Sequence, residues 1–339
     1  NYGMMFWGNL NHAFNEATMG WPPNWNFDWG IHTTRGWTQP NLITYMESHD
    51  EERLMYKNLN FGKVSGSYST KDLATGLKRN EAAAAFFFMI PGPKMIWQFG
   101  ETGYDYSINY CTNGTISDAC RTGDKPIKWD YLQQAGRKRL HDVYTELIKL
   151  RSHASFKNGF VSNRVEHNLG GAVKWLKVTT DTSNILVIAN FDVIEATANV
   201  SFQNAGTWYD YLTGATINAS GSSQAITLQP GEYHVYLNKN VTSSITPVFD
   251  IIDTENARLH IYPNPVYKNA ILEYELPVNA AITISLLDMY GRRVKQLFSG
   301  FKTKGSYQLP VTAGHLTKGV YFVQLEYGKS RSVQKIIVE

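Results

Sequence analysis

The chain has 339 residues, a length that suggests two or three domains, and 43% of them are hydrophobic, so ordinary globular cores are expected. Its net charge of +3 is spread without long basic runs, which gives no case for a nucleic-acid partner. No apolar run reaches the roughly 18 residues that a membrane helix needs, so no membrane span is expected. The first residues, "NYGMMFWGNL", contain neither an initiator methionine nor a signal-peptide pattern, and we expect further sequence in front of them.

Residues 1–155 alternate between strand and helix patterns. Three short apolar runs, "GMMFWGNL", "NLITYM" and "KMIWQFG", are typical of buried parallel strands. A polar loop, "FGKVSGSYST", leads into the helix "KDLATGLKRNEAAAAFFFMI", whose start is marked by the spacing of Ser69 and Asp72 and whose end is set by Pro91. The alternation predicts part of an α/β sheet or barrel with too few strands to close. A later amphipathic helix, "LQQAGRKRLHDVYTELIKLRSH", has an apolar face made by Leu140, Val143, Tyr144, Leu147 and Ile148.

Cys111 and Cys120 lie close together in "CTNGTISDAC". Their spacing suits a disulfide that closes a surface loop in an oxidising compartment, and two free thiols are the alternative. No cysteine pair has the spacing of metal ligands, so no metal site is expected.

The pattern changes after residue 156. Residues 156–240 contain short strands separated by turns, among them "NILVIANF" and "YHVYLN", which predicts an antiparallel β-sandwich. Residues 241–257 are polar and weakly patterned, as a linker would be. Residues 258–339 form a second block of strands, with turns at "YGRR" and "YGKS". The sequence thus predicts a multidomain chain, with a partial barrel followed by two all-β sandwich domains.

A dense group of titratable side chains, "ESHDEER", directly follows the apolar run "LITYM". In α/β barrels, reactive residues gather at the carboxyl ends of the strands, so Glu47, His49, Asp50 and Glu101 are expected to share one rim. Carboxylates there would suit chemistry on a glycosidic bond, where a developing oxocarbenium ion needs negative charge beside it. The structural alternative is a charged loop that caps the following helix.

The same stretch resembles a known family. "TYMESHDEERL" is similar to the signature region that ends strand seven of the barrel in the α-amylase family, glycoside hydrolase family 13, with Ser48 in place of the usual asparagine. "IPGPKMIWQFGETG" resembles strand eight of that barrel, and "RTGDKPIKWDY" with "YTELIKLRS" resembles its last loop and helix. Residues 156–238 resemble the β-sandwich that follows the barrel in amylases. The resemblance covers roughly residues 1–238.

This resemblance implies specific roles. Asp50 matches the carboxylate that stabilises the transition state, and His49 matches the histidine that hydrogen-bonds the substrate sugar; Glu101 is a further candidate for substrate binding. The family's nucleophile and general acid have no match in residues 1–41, so this piece alone is expected to be inactive. No cofactor is evident, although the family often holds a structural calcium ion in the full enzyme.

The C-terminal block resembles a different family, the C-terminal sorting domain of type IX secretion in Bacteroidetes. Four pieces carry this resemblance in order, "LHIYPNP", "ISLLDMYGRRV", "GVYFVQL" and the terminal "QKIIVE". A small carbohydrate-binding sandwich is the alternative, but residues 258–339 contain no tryptophan. The resemblance implies a secreted or cell-surface protein that meets the type IX secretion machinery.

Taken together, the two resemblances imply a secreted enzyme that hydrolyses α-1,4-glucosidic bonds of starch or glycogen with retention. A glucan branching enzyme and a catalytically inactive, surface starch-binding protein are the alternatives. The expected partners are an α-glucan polysaccharide or oligosaccharide and the secretion machinery.

Overall fold

The computed structural model describes residues 4–241, 243, 258–276, 280–289, 291–303, 305–313, 316–327 and 330–339. The chain divides into two compact units, Asn1–Val248 and Phe249–Glu339. The boundary between the units falls within the predicted linker, and residues 244–257 of that linker lie outside the described residues.

The first unit begins with two short parallel strands, β1 (Phe6–Asn9) and β2 (Leu42–Tyr45). Both lie within apolar runs that were predicted as strands. The prediction of a third strand at "KMIWQFG" is wrong. This segment forms only a single parallel bridge, between Lys94 and Thr44 of β2. A strand needs a hydrogen-bonded neighbour along its length, and β2 bonds this segment at Thr44 alone, through Pro93 and Met95.

Four helices accompany these strands: α1 (Asn11–Met19), α2 (Leu54–Phe61), α3 (Leu73–Met89) and α4 (Ala135–Ser152). Only α3 and α4 were predicted. The predicted polar loop "FGKVSGSYST" instead contains the end of α2 and a short hairpin, β3 (Val64–Ser65) with β4 (Tyr68–Ser69). Ser69 therefore belongs to the hairpin, and α3 starts after Asp72.

The predicted apolar face of α4 is correct at four of its five positions. Leu140, Val143, Tyr144 and Leu147 are buried, whereas Ile148 is 42% exposed. Ile148 lines an open cleft described below, so it lacks the covering layer that the other four side chains have.

The remaining strands of the first unit form two antiparallel sheets. The larger sheet has the order β10-β9-β12-β7-β6-β5, and the smaller one pairs β11 with β8. The bounds are β5 (Val165–Asn168), β6 (Val173–Thr179), β7 (Asn184–Asn190), β8 (Ala196–Ser201), β9 (Gly206–Asp210), β10 (Thr216–Ala219), β11 (Ser223–Leu228) and β12 (Tyr233–Leu237).

One hydrophobic core joins the helices to the larger sheet. The rings of Phe27, Phe86 and Phe191 lie 5.4–5.9 Å apart in pairs, although they come from three distant parts of the chain. Each of these rings is fully buried. A second cluster contains side chains from both antiparallel sheets, including Leu186, Trp208 and Leu228. Residues on either side of position 156 therefore share a core.

Arg79 of α3 ties the same parts together through polar contacts. Its fully buried guanidinium donates hydrogen bonds to the carbonyls of Ala17 at 2.8 Å and Phe191 at 2.5 Å. It also donates to the Thr18 carbonyl at 2.5 Å, so it supplies hydrogen bonds to two carbonyls in the last turn of α1. This one side chain fixes α1, α3 and the end of β7 relative to one another.

The second unit contains seven antiparallel strands in two sheets, with orders β13-β14-β17 and β16-β15-β18-β19 among the described residues. Side chains from both sheets form a separate hydrophobic core, which includes Leu272, Ile284 and Val323. The bounds are β13 (Arg258–Tyr262), β14 (Asn269–Leu276), β15 (Ala280–Leu287), β16 (Arg293–Lys302), β17 (Gly305–Thr312), β18 (Gly319–Tyr327) and β19 (Ser330–Val338).

Candidate functional site

His49 and Asp50 lie just beyond the carboxyl end of β2 and face solvent together. Nε2 of His49 is 3.3 Å from Oδ2 of Asp50, and each side chain is 64% exposed. The amide of Asp50 donates to the hydroxyl of Ser48 at 3.0 Å, which fixes the turn that presents the pair. An imidazole and a carboxylate are thus held side by side where a ligand can reach both.

Glu47, two residues earlier, has a structural role. One carboxylate oxygen accepts the amide of Leu54, the first residue of α2, at 2.7 Å, and the other lies 3.5 Å from Nη1 of Arg53. Burial raises the pKa of Glu47, and the positive charge of Arg53 opposes this. A Cβ at Gly100 would lie 2.5 Å from Glu47 Oε2, so any side chain there would displace this carboxylate. Glu47 therefore fits the structural alternative considered from the sequence, in which the charged loop caps the following helix.

Glu51 and Glu52 also act as anchors. Glu52 accepts hydrogen bonds from the Ser107 hydroxyl at 2.6 Å and the Ile108 amide at 2.9 Å. Glu51 accepts from Asn9, at the end of β1, and from Ser48. These carboxylates therefore hold the surrounding loops in place, and the exposed pair of His49 and Asp50 remains for ligand chemistry.

Trp97 supplies an aromatic wall beside the exposed pair. Its ring centroid lies 5.6 Å from that of His49, at an angle of 51°. The guanidinium carbon of Arg53 lies 5.9 Å from the Trp97 ring and 5.0 Å from the Tyr104 ring. Aromatic faces of this kind support the flat faces of ligands and carry cations beside them.

Glu101 lies in a neighbouring cleft of about 400 Å³, whose lining also includes Trp97, Tyr144 and Ile148. The segment enters the cleft through Phe99, whose φ of 61° is left-handed, a strained backbone for a large side chain. The charge of Glu101 contributes to the raised pKa of Glu47 and of Tyr144, although burial is the main cause in both. Trp97 lines this cleft together with Glu101 and also contacts His49, so it lies between the two candidate side chains.

Cys111 and Cys120 form a disulfide. The loop that they close leads directly to Arg121, whose guanidinium donates to the backbone carbonyl of Asp50. The disulfide therefore supports a side chain that holds the exposed pair from outside.

Sequence reasoning missed Trp97, Arg53 and Arg121. Trp97 had a usable signal, since it lies in an apolar run that ends at the same rim as Glu101. Arg121 had none, because its partner is a backbone carbonyl 71 positions away. Among the described residues, no group of three or more His, Cys, Asp or Glu side chains is placed to hold a metal ion.

Comparison with known proteins identifies the second unit. Residues 260–339 match the family of secretion system C-terminal sorting domains. These residues are therefore such a domain, and the chain is destined for secretion or cell-surface export. Within the part of the chain that the structure describes, no helix is long and apolar enough to cross a membrane. No curated protein sequence is significantly similar to the chain.

Solved structures resemble the chain over about two thirds of its length. The structure of an AmyP variant in complex with maltotriose aligns with a TM-score of 0.51 and 16% identity, over 69% of this chain and 49% of that one. CldA, a cyclomaltodextrin glucanotransferase, aligns with a TM-score of 0.48 and 19% identity, over 68% and 44%. Pullulanase from Bacillus acidopullulyticus aligns at 0.48 and 16%, over 68% and 30%. The aligned part spans about half the length of AmyP and less than half of the other two proteins. The AmyP alignment shows a shared fold.

Proposed function

We propose that this chain is the C-terminal portion of a secreted enzyme that acts on α-glucans, with retaining hydrolysis of α-1,4-glucosidic bonds as its reaction. In this proposal, residues 1–155 are the last strands and helices of a (β/α)8 barrel. Residues 156–240 and 258–339 are β-sandwiches, joined by the linker 241–257. The observation that carries the proposal is the exposed pair of His49 and Asp50 at the carboxyl end of β2.

The chemistry of this pair suits a glycosidic bond. Asp50 would place negative charge beside the positive charge that develops on the sugar ring, and His49 would donate a hydrogen bond to a sugar hydroxyl. Trp97 would line the same subsite. Glu101, further into the cleft, is the candidate for a polar contact with a neighbouring sugar.

The open edges of the first unit support the partial barrel. On β1, Phe6 is 49% and Trp7 is 65% exposed, although strands of barrels normally have partners on both sides. On the other side, the cleft beside α4 exposes Ile148, Ile127 and Trp129. We infer that further strands and helices of the complete protein cover both surfaces and supply the nucleophile and general acid, which retaining hydrolysis requires about 5–5.5 Å apart.

Product analysis on the complete secreted protein tests this function. With soluble starch as substrate, the proposal predicts short maltooligosaccharides released in the α-anomeric form. New branch points without net release of sugar would instead identify a branching enzyme. Tight binding of starch without any product would identify an inactive surface starch-binding protein.

A further inference from the structure

Trp29 presents a rigid, open aromatic face far from the pair described above. Its side chain is 58% exposed. The guanidinium carbon of Arg35 lies 3.9 Å from the centre of its ring, and Nε of Arg35 donates to the Trp29 carbonyl at 2.8 Å. Because Arg35 covers one face of the indole and the ring is still more than half exposed, the opposite face is open to solvent.

Arg35 is itself held from behind. Its guanidinium carbon lies 5.4 Å from the ring of Trp37, and Trp37 packs against Phe6 with ring centroids 5.4 Å apart. A stack of this kind fixes the indole, so that a ligand can use its open face with little loss of side-chain freedom.

Polar side chains contact Asp28, the residue before Trp29, or are linked to it through His167, and these contacts hold them in place. Asp28, next to Trp29, accepts a hydrogen bond from the Asn26 amide at 3.0 Å and lies 3.2 Å from Nδ1 of His167. Nε2 of His167 is 3.5 Å from the hydroxyl of Thr34. Side chains from three segments therefore bring donors and acceptors to one region beside a flat apolar face.

The platform and the exposed pair lie at opposite ends of the same strands. Phe6, behind the platform, pairs with Leu42 at the start of β2. His49 and Asp50 instead follow the end of β2 at Tyr45. A ligand on Trp29 would therefore occupy a separate site.

We propose that Trp29, backed by Arg35, is a surface binding site for an α-linked glucan chain. A pyranose ring has an apolar face of C–H groups and a rim of hydroxyls, which matches an open indole with Asp28 and Asn26 beside it. The choice of glucan as the sugar rests on the proposed function; the sugar-binding platform rests on the contacts of Trp29.

Affinity electrophoresis of the 339-residue chain in native gels containing amylopectin tests this inference. We expect retardation of the wild type, and a dissociation constant about five- to tenfold higher for Trp29→Ala, the loss of one stacked ring. Arg35→Lys keeps the charge but removes the planar support, so it is expected to weaken binding to a smaller extent. Trp21→Ala is the matched control, since Trp21 is also exposed beside a cation, with Lys63 at 5.6 Å from its ring, and lies outside both proposed sites; it should bind as the wild type does.

Equal retardation of Trp29→Ala and wild type would overturn the inference, as would a wild type that the gel does not retard. Circular dichroism melting of each variant excludes unfolding as the cause of any loss. The proposed function fails by a separate measurement, turnover of a short maltooligosaccharide by the complete protein, which Trp29→Ala should leave unchanged. Loss of amylopectin binding on Trp29→Ala with no turnover by the complete wild-type protein would keep the platform and refute the enzyme.

Discussion

The carboxylate of Glu47 accepts a hydrogen bond from the backbone amide of Leu54 at 2.7 Å, so a residue two positions after β2 also caps the first turn of α2. The same side chain lies 3.5 Å from Arg53 and is 7% exposed. Because Glu47 is fixed in this way, the turn between it and α2 has a defined shape, and that turn carries His49 and Asp50.

Glu47→Ala is therefore expected to destabilise the first unit by about 3 kcal/mol or more, because it leaves Arg53 as a buried, uncompensated charge and removes the cap. Glu47→Gln keeps an oxygen for the Leu54 amide and should lose about half as much. Urea denaturation of the full chain measures both. Asp181→Ala is the control at a carboxylate that is 95% exposed, with an expected loss of under about 1 kcal/mol. A loss for Glu47→Ala as small as this would contradict the assigned role.

His234 on β12 forms a compact ionic group with two carboxylates. Its Nδ1 lies 2.8 Å from Asp210 and its Nε2 lies 3.0 Å from Glu232. Burial alone would lower the pKa of His234, but the hydrogen bonds that its ring donates to the two carboxylates outweigh it and raise the pKa to about 9. At neutral pH, His234 is therefore protonated in the folded protein, whereas in the unfolded chain it would have lost most of its proton.

This shift fixes the sign of a pH dependence. A histidine with a raised folded pKa contributes stability that is fully present below its unfolded pKa of about 6.5 and is lost as the pH rises towards 9. The contribution of His234 to the free energy of unfolding of the first unit should therefore fall by about 2–3 kcal/mol between pH 6 and pH 9.5. Urea titrations at several pH values measure it as the change, over this range, in the difference between the wild type and His234→Gln. Identical slopes for wild type and variant would refute the charged group.

Asn264, in the "YPNP" stretch of the sorting domain, clamps the last strand of the chain. Its side-chain amide donates to the Lys335 carbonyl at 3.1 Å, and its side-chain oxygen accepts the Ile337 amide at 2.9 Å. The neighbouring Val266 amide donates to the Ile337 carbonyl at 2.7 Å. The side chain of Asn264 thus makes the two hydrogen bonds to the backbone of β19 that a neighbouring strand would otherwise make.

Asn264→Ala removes both side-chain bonds and should destabilise the docking of β19 by about 1–3 kcal/mol. Asn264→Asp keeps the acceptor for Ile337 and should lose less. Hydrogen exchange over residues 330–339 of the full chain reports this directly, with faster exchange in Asn264→Ala. Gln296→Ala, at an exposed position of β16, serves as the control. Unchanged protection in Asn264→Ala would show that the clamp does not hold the strand.

The charged stretch after β2 shows how far sequence could go. The strand end was predictable from the apolar run before it, and His49 and Asp50 do lie exposed there. The burial of Glu47 and the hydrogen bonds of Glu52 were not predictable, because they depend on Arg53 packing inward and on Ser107 and Ile108 arriving from a distant loop. The same charged residue type is thus an anchor or a candidate for chemistry according to contacts that only the fold sets.

Two element predictions failed for related reasons. The helix α2 was missed because its first turn is stabilised by Glu47 rather than by a local serine or threonine cap. The segment after Pro93 has a strand-like pattern, but pattern does not supply a hydrogen-bonded neighbour. In contrast, α3 and α4 were correctly predicted, since both have long buried faces.

The central claim is that Asp50 acts on the glycosidic bond, and the turnover number of Asp50→Asn in the complete secreted protein tests it most directly. On soluble starch, we expect kcat to fall by at least about a hundredfold with a much smaller change in KM, because a charge that acts on the transition state is lost. His49→Ala should do less, since it removes a hydrogen bond. Asp181→Asn is the matched control, as Asp181 is 95% exposed and pairs with Arg164. A kcat for Asp50→Asn within about twofold of that control would contradict the account.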